Sequence, residues 1–483
     1  MPPPDSHRTR NRNPTPRANF IPKDARGVAL DRILSQSRKF PDLLLGGPEV
    51  EHLDARDAAF SRAIELAAIR RWTTITACLR PHLTKHWHLL EKPIQAALVG
   101  GTAQILFMSV PPHAAVDGCV EWTKQALRPG AAGFVNAVLR KIAASVVEVL
   151  PHGTADILDR KRRDLLPMSD GSALRLNAEV FSEDHAARLA EQTAIGRELL
   201  LQWIAQFGWE RAVECALHTL VEPPIIVTPV DDCTDHPHLS AHASKGFAVW
   251  SGPHSELVAW LEADPTRARR VQDPTSAESV ANGARFLQNP PKVIVDLCAG
   301  RGTKTRQLAQ LFPNATVLAT DPDPVRFACL EELANGHPTI RALDPEALLR
   351  EAAGNTDFLI LDVPCSNTGV LARRPEARFR FSKKRLDSVL GKQRDISDPA
   401  IGLLKTGGVL VYATCSIETA ENIRQAKRLA KVHALSLIVD ERILPSGIPG
   451  CTPQSYSDGG FHAVFVKQAG STIRAATIED EPE

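Results

Sequence analysis

The chain has 483 residues, enough for about three domains of ordinary size, and its 43% hydrophobic content excludes a wholly disordered protein. The net charge of +1 neither requires nor excludes a nucleic-acid partner. Nine cysteines without a C-x-x-C pair exclude a disulfide scaffold, and no apolar run reaches the ~18 residues of a membrane helix, so we expect a cytoplasmic protein with no membrane partner.

Residues 1–19 are polar, proline-rich and basic, and we expect a disordered tail there. From Ala25 to about Val149 the spacing of apolar residues is helical. The run from Phe60 to Leu79 predicts one helix, capped by Asp54 or Asp57. A further helix begins near Pro93, and segments 114–127 and 132–149 follow it. Residues 20–149 are therefore predicted to form an all-helical domain.

The middle of the chain, residues 150–265, carries weaker signals. Residues 150–195 have no clear period, Leu199–Leu220 predicts an amphipathic helix, and the run IIVTPV that begins at Ile225 predicts a strand. We expect a linker followed by a small α+β connector.

Residues 266–470 alternate short aliphatic runs with helical segments. The runs VIVD, TVLATD, DFLILD and GVLVYAT are continuous, as in strands buried on both faces of a parallel sheet. In such sheets ligands bind at the carboxyl ends of the strands. We therefore predict a Rossmann-like catalytic domain, followed by an acidic tail at 471–483.

A glycine loop, DLCAGRGTKT, follows the first of these runs. A phosphate-binding P-loop needs Gly directly before the lysine, but Thr303 precedes Lys304. The spacing from Asp296 to Gly300 and Gly302 suits a cofactor without a phosphate, for which S-adenosylmethionine (SAM) is the natural candidate. Asp321 ends the next run, where a Rossmann-like domain places an acid for ribose hydroxyls.

Two cysteines follow strand ends and are each followed by serine, namely Cys365 and Cys415. A lone cysteine near a sheet is usually an inert apolar residue. Two thiols at one edge of a sheet could take part in methyl transfer to carbon 5 of cytosine. That carbon becomes nucleophilic only after a thiolate adds to carbon 6.

The segment between these cysteines is basic. Residues 366–394 contain nine Lys or Arg residues and two acids, a local charge of +7 that predicts contacts with a nucleic-acid backbone, although a solvated helix face is the alternative. The candidates for RNA binding are Arg373, Arg374, Arg378, Lys383 and Lys384. The histidines lack ligand spacing, and we predict no metal.

Several motifs together resemble the RNA cytosine-5 methyltransferases of the RsmB, or Sun, branch. They are VQDPTS, DLCAGRGTKT, DVPCSNTGVLARRPE, VYATCSIETAEN and SDGGF, in that order. The N-terminal stretches LVGGTAQILFMSVPPHAAVDGCVEWTK and GFVNAVLRKI resemble the NusB-like RNA-binding domain of the same branch. The resemblance implies a SAM-dependent enzyme that forms 5-methylcytosine in small-subunit ribosomal RNA, and we expect a monomer.

The resemblance also implies roles for individual residues. Cys415 would be the nucleophile, Cys365 would assist product release, and Asp362 would contact the pyrimidine ring near nitrogen 3. Lys304 would lie between cofactor and substrate. The implied SAM-binding residues are Asp296, Cys298, Ala299, Gly300, Gly302, Lys304, Asp321, Asp344 and Asp362.

Two alternatives stay open. A DNA cytosine-5 methyltransferase would use the Pro-Cys thiol, at Cys365, as nucleophile and would not need Cys415. A non-catalytic RNA-binding assembly factor would have lost SAM binding at the loop, where Gly300, Arg301 and Thr303 replace the Ala, Pro and Gly usual in the family.

Overall fold

A computed structural model describes residues 24–46, 52–153 and 162–468, so the tails expected at 1–19 and 471–483 lie outside the described residues. The chain divides into two compact units, one up to Val149 and one from Glu183 onward, with residues 150–182 distributed between them. Within the described ranges, every helix is too short or too polar to span a membrane.

The N-terminal unit is a helical bundle, as predicted. Asp54 caps the second helix by accepting a hydrogen bond of 2.8 Å from the Asp57 amide, and Pro93 lies in the first turn of the fourth. The helices are α1 (Ala25–Lys39), α2 (Ala55–Arg70), α3 (Trp72–Leu79), α4 (Lys92–Phe107), α5 (Pro112–Ala126) and α6 (Pro129–Ala143).

The fourth helix, α4, lies at the centre of this bundle. It packs against fully buried leucines, Leu30 of α1 and Leu139 of α6. A Cβ atom on Gly101 would lie 2.5 Å from Leu139 Cδ1, so only glycine permits the approach of the two helices there.

Two predicted helical segments of this unit were wrong in detail. The run from Phe60 to Leu79 is interrupted at Arg71, whose φ of −122° and ψ of 18° end α2. The last segment stops at Ala143, and Val146–Leu150 forms strand β1 instead. Three valines within five residues favour extended backbone over helix.

The stretch that the sequence left unassigned contains two short strands and a helix, and two further helices follow it. The predicted helix Leu199–Leu220 is in fact two helices, because Gly208 between them has a φ of +80°. These elements are β2 (Leu165–Pro167), β3 (Ala173–Leu176), α7 (His185–Thr193), α8 (Arg197–Phe207) and α9 (Trp209–His218).

An antiparallel four-stranded sheet with one helix forms the connector. Its strand order is β5-β6-β4-β7, and the strand predicted in IIVTPV is β4. The elements are β4 (Ile225–Thr228), β5 (Leu239–Ala241), β6 (Ala248–Trp250), α10 (His254–Glu262) and β7 (Arg270–Val271).

The remaining chain folds around a seven-stranded sheet of order β10-β9-β8-β11-β12-β14-β13. The first five strands in that order are parallel, and the last two are antiparallel to their neighbours. The strands are β8 (Val293–Asp296), β9 (Thr316–Ala319), β10 (Ile340–Ala342), β11 (Thr356–Asp362), β12 (Leu404–Thr414), β13 (Leu435–Ile443) and β14 (Gly460–Lys467).

Helices cover both faces of this sheet, as the continuous aliphatic runs predict. They are α11 (Pro274–Ala284), α12 (Thr303–Leu311), α13 (Pro324–Ala334), α14 (Pro345–Ala352), α15 (Lys383–Ala400) and α16 (Ile423–His433). Strand β11 pairs with both β8 and β12, Leu359 lying opposite Val295 and Leu410. The carboxyl ends of these three strands therefore lie side by side.

Candidate active site

The glycine loop between β8 and α12 depends on two residues with positive φ, Gly300 at +58° and Gly302 at +84°. A Cβ atom on Gly302 would also lie 2.5 Å from Leu333 Cδ2. Both the left-handed backbone and the close contact require glycine at position 302. The loop therefore passes over the end of β8 with little side-chain bulk.

Asp321 anchors this loop. Its Oδ2 accepts a hydrogen bond of 2.9 Å from the Gly300 amide, and its Oδ1 accepts one of 3.0 Å from the Asp323 amide. Thr320, the residue before Asp321, also holds the loop, because its carbonyl accepts a hydrogen bond from the Ala299 amide. Asp344, after β10, lies at the same edge of the sheet and caps α14 at the Ala347 amide. Both acids are thus placed where the sequence predicts cofactor contacts.

Asp296 is completely buried at the end of β8. Its Oδ2 accepts a 2.8 Å hydrogen bond from the Thr305 hydroxyl, while its Oδ1 has no partner among the described residues. Burial raises the pKa of Asp296 to about 7 and raises that of the nearby Cys298 thiol. SAM is a cation, and an unsatisfied carboxylate under a glycine loop fits a positively charged cofactor.

We expect Asp296→Asn to lower the affinity for SAM about 10-fold or more, because the amide removes the negative charge. In the wild-type protein the affinity should rise with pH up to about 7, since a cationic ligand favours the ionised carboxylate. Calorimetric titration between pH 5.5 and 7.5 measures both effects. A wild-type affinity as independent of pH as that of the variant would contradict this prediction.

Lys304 lies on the first turn of α12 and is buried. Its ammonium donates hydrogen bonds of 2.7 Å to Asp362 Oδ2 and 2.9 Å to Ser276 Oγ. Burial alone would lower the pKa of Lys304, but the Asp362 carboxylate outweighs it and the net pKa is raised. The lysine therefore stays charged beside the end of β11.

The two predicted thiols meet at this edge. Cys365 Sγ and Cys415 Sγ are 3.0 Å apart, and both cysteines are free. The hydrogen bond with Cys415, then burial, holds the pKa of Cys365 well above its ordinary value. Either sulfur can donate in the hydrogen bond between the two thiols. Asn367, which has a φ of +62°, places its Oδ1 3.2 Å from Cys415 Sγ.

A buried carboxylate, Glu421, joins the two thiol loops. It accepts hydrogen bonds from the Ser366 amide at 2.8 Å, from the Ser416 hydroxyl at 2.6 Å and from Gln393 Nε2 at 3.1 Å. Burial raises the pKa of Glu421. Since Ser366 and Ser416 directly follow the two cysteines, Glu421 fixes the distance between the thiols.

Glu421→Ala should leave these buried donors without an acceptor, at a cost of about 1–3 kcal/mol in the free energy of unfolding, and should slow methyl transfer about 10-fold or more. Glu421→Gln retains one carbonyl oxygen as an acceptor, so it should lose less stability and less activity than the alanine variant. Thermal unfolding and single-turnover assays measure the two effects, with the exposed Glu346→Gln as control. An active, fully stable alanine variant would show that the loops hold their geometry without Glu421.

A small cleft opens in front of Cys415 and is lined by Asp273, Ser276, Lys304, Asp362 and Asp458, with backbone from 413–415 and 459–461. Arg373 lies beside the cleft and pairs with two of its acids, Asp273 and Asp458. Its Nε lies 2.6 Å from Asp458 Oδ2, and it donates to the carbonyl of Pro224. The prediction that Arg373 binds RNA is corrected, because two acids and a carbonyl of the protein already hold it.

Arg378 also departs from the RNA-binding prediction. It is only 1% exposed, and its guanidinium donates to the carbonyls of Thr219 and Leu371. Local charge counting places it on the surface, but packing against the end of α9 buries it. The other three predicted RNA-binding residues are exposed, namely Arg374, Lys383 and Lys384. Arg374 has a side chain 58% exposed, and both lysines are exposed at the start of α15.

Sequence reasoning missed Glu421, Asn367, Ser276 and Asp458, although each lies within one of the motifs that carry the resemblance. Polar residues inside those motifs were the available signal. It also missed Glu418, which accepts a hydrogen bond of 2.8 Å from Trp203 Nε1 and so attaches α8 to the loop after Cys415. In the described ranges, acids, cysteines and histidines do not cluster as a metal site would require.

Comparisons with known proteins agree with this architecture. The family model described as "16S rRNA methyltransferase RsmB/F" matches residues 286–448, and the NusB family model matches residues 28–144. The chain is 26% identical over 467 residues to the ribosomal RNA small subunit methyltransferase B of Sodalis glossinidius, covering 92% of this chain and 96% of that protein. The protein of the same name from Serratia proteamaculans is 24% identical, with 93% and 99% covered.

A solved structure is similar over most of the chain. The crystal structure of PH0851 aligns with a TM-score of 0.62 at 17% identity, covering 93% of this chain and all of that one, which shows a shared fold. A parallel sheet that ends in a glycine loop, with an acid after the next strand, is typical of a Rossmann-like cofactor-binding domain. Residues 286–448 of this chain are thus similar to the RsmB/F methyltransferases, and residues 28–144 are similar to the NusB family.

Proposed function

We propose that this protein forms 5-methylcytosine in RNA, at a site in the small-subunit (16S) ribosomal RNA, through a covalent bond between Cys415 and carbon 6 of the cytosine. The observation that carries the proposal is the pair of free thiols 3.0 Å apart at the carboxyl edge of the sheet, beside the Lys304–Asp362 pair. The names of the relatives and the NusB domain support ribosomal RNA as substrate.

The first chemical step is addition to the ring. The Cys415 thiolate donates an electron pair to carbon 6, and the π pair of the carbon 5–carbon 6 bond moves to carbon 5 and the adjoining ring atoms. The ammonium group of Lys304, hydrogen-bonded to Asp362, places a proton donor and a positive charge beside the cleft. This positive charge would stabilise the negative charge that develops near nitrogen 3. SAM, when bound, supplies an electrophilic methyl group; the glycine loop, Asp296 and Asp321 would hold it.

Product release needs a base for the carbon 5 proton. In the free protein Cys365 is protonated, because the hydrogen bond with Cys415 and burial raise its pKa well above the ordinary value. Once Cys415 is bonded to carbon, it no longer carries negative charge, and the pKa of Cys365 should fall. Cys365 then loses its proton to solvent in the cleft and, as a thiolate, can take the carbon 5 proton. The electron pair of that bond restores the ring double bond, and Cys415 leaves as a thiolate.

Transfer of a radioactive methyl group from SAM to purified ribosomal RNA tests the proposal. The RNA should come from cells that lack this protein, because otherwise the site is already modified. Mass spectrometry of the digested RNA should show 5-methylcytosine in the small-subunit RNA and none in DNA. Label in DNA alone would support the DNA methyltransferase, and SAM binding without label in any nucleic acid would contradict the proposed reaction.

A further inference from the structure

A second cavity, of about 650 Å³, lies at the opposite edge of the seven-stranded sheet from the thiols. Its lining includes Pro313, before β9, and residues 336–339, before β10, so it faces the amino-terminal ends of the parallel strands. Connector residues complete the lining. Its volume is within the range of small-molecule binding sites.

Three arginines line this cavity, and among the described residues none of them pairs with a carboxylate. Arg267 donates to the carbonyl of Asn335 at 2.9 Å, Arg269 to that of Trp260 at 3.0 Å, and Arg306 to that of Arg267 at 3.4 Å. Asp264, which lines the cavity together with Asp231, accepts hydrogen bonds from backbone amides and from Thr266. Most of the guanidinium donors thus remain available to a ligand.

The positive charges in this region act on one another. Burial, then the charge of Arg267, lowers the pKa of Arg306. Burial, then Arg306, lowers the pKa of the adjacent Arg270 to about 10. Burial and the same cations lower the pKa of His337, so its ring is neutral at pH 7. Glu332 and Asp264 offset part of this effect at Arg306 without forming an ion pair with it, and an anion in the cavity would stabilise the three cations further.

A neutral donor points to the same ligand chemistry. His337 Nδ1 accepts hydrogen bonds of 3.2 Å from the amides of Thr339 and Ile340, so in the neutral ring the proton is on Nε2. Arg267 has a φ of +54°, a strained backbone typical of functional sites.

We infer that this cavity binds a phosphate-bearing ligand, either the backbone of an RNA strand or a free nucleotide. Guanidinium groups match phosphate oxygens in geometry and charge, and imidazole donors complete such sites. The cavity is large enough for a nucleotide rather than a lone ion. The inference rests on the proposed function only in naming RNA as one of the two sources of the phosphate group.

The test compares two variants with the wild-type protein, using a fluorescent 12-nucleotide single-stranded RNA and AMP as probes. Arg267→Gln/Arg306→Gln should weaken binding of the true ligand type about 10-fold or more. For RNA, the slope of log affinity against log salt should decrease in magnitude by about 0.7 for each lost phosphate contact. Arg350→Gln is the control, since Arg350 is exposed on α14 and pairs with Glu346.

Arg269→Gln keeps the test valid if the double variant folds poorly. It removes the positive charge of a third arginine that lines the cavity, whose guanidinium donates only to a carbonyl, so ligand affinity should decrease. If only the affinity for RNA decreases, the ligand of the cavity is an RNA strand. If only the affinity for AMP decreases, the ligand is a free nucleotide. Wild-type affinity of both variants for both probes, or no binding to either probe by the wild-type protein, would overturn the inference. Methyl transfer by the wild-type protein reports separately on the proposed function.

Discussion

Cys415→Ala is expected to abolish methyl transfer, with a loss on the order of 10⁴-fold or more, because without a thiolate at carbon 6 the carbon 5 atom is not nucleophilic. The substitution removes one sulfur atom from a partly exposed position, so stability should change little. The measurement is the single-turnover rate with saturating SAM and RNA.

Binding of SAM is the matched control for this variant. The glycine loop and Asp321 are unchanged, so the calorimetric affinity for SAM should remain within about threefold of the wild-type value. Cys329→Ala, at a cysteine of α13 outside the site, should keep most of its activity. Methyl transfer by Cys415→Ala at a rate near that of the wild-type protein would show that Cys415 is not the nucleophile.

Asp362→Asn is expected to lower the rate of methyl transfer about 10²–10⁴-fold, the range for loss of acid–base assistance. It should also destabilise the protein, because Lys304 keeps its charge but loses the carboxylate 2.7 Å away. The rate is measured in single turnovers and the stability by thermal unfolding.

The double variant Lys304→Met/Asp362→Asn separates the two effects. With the unpaired ammonium removed, stability should recover, while activity should stay low because the proton donor is also missing. Recovery of activity together with stability would show that the pair has only a structural role.

The sequence was sufficient for the central sheet. The aliphatic runs at 293–296, 316–321, 357–362 and 408–414 are too short and too apolar for surface helices, and each became a parallel strand. Since parallel strands share one edge for their carboxyl ends, the meeting of Cys365 and Cys415 followed from the same pattern.

Breaks inside helical segments were not predictable in the same way. The apolar period continues across Arg71 and Gly208, and a glycine within a helix costs only about 1 kcal/mol. The apolar period therefore does not reveal that the backbone of Gly208 adopts a positive φ and ends α8.

The roles of charged side chains depended most on the folded structure. Arg378 belongs to a basic segment, but its guanidinium reaches the carbonyl of Thr219, 159 residues away in the chain. Glu421 contacts Ser366 across 55 residues. Neither composition nor spacing carries information about such partners, so a count of local charge placed Arg378 wrongly and gave no role to Glu421.

Covalent trapping tests the central claim most directly. Cys365→Ala should form the bond between Cys415 and cytosine but release it slowly, so that a protein–RNA adduct survives denaturing electrophoresis after incubation with SAM and RNA. The account predicts that this adduct disappears in Cys365→Ala/Cys415→Ala. An adduct that forms in Cys415→Ala instead would make Cys365 the nucleophile, and no adduct in either single variant would contradict covalent catalysis by this thiol pair.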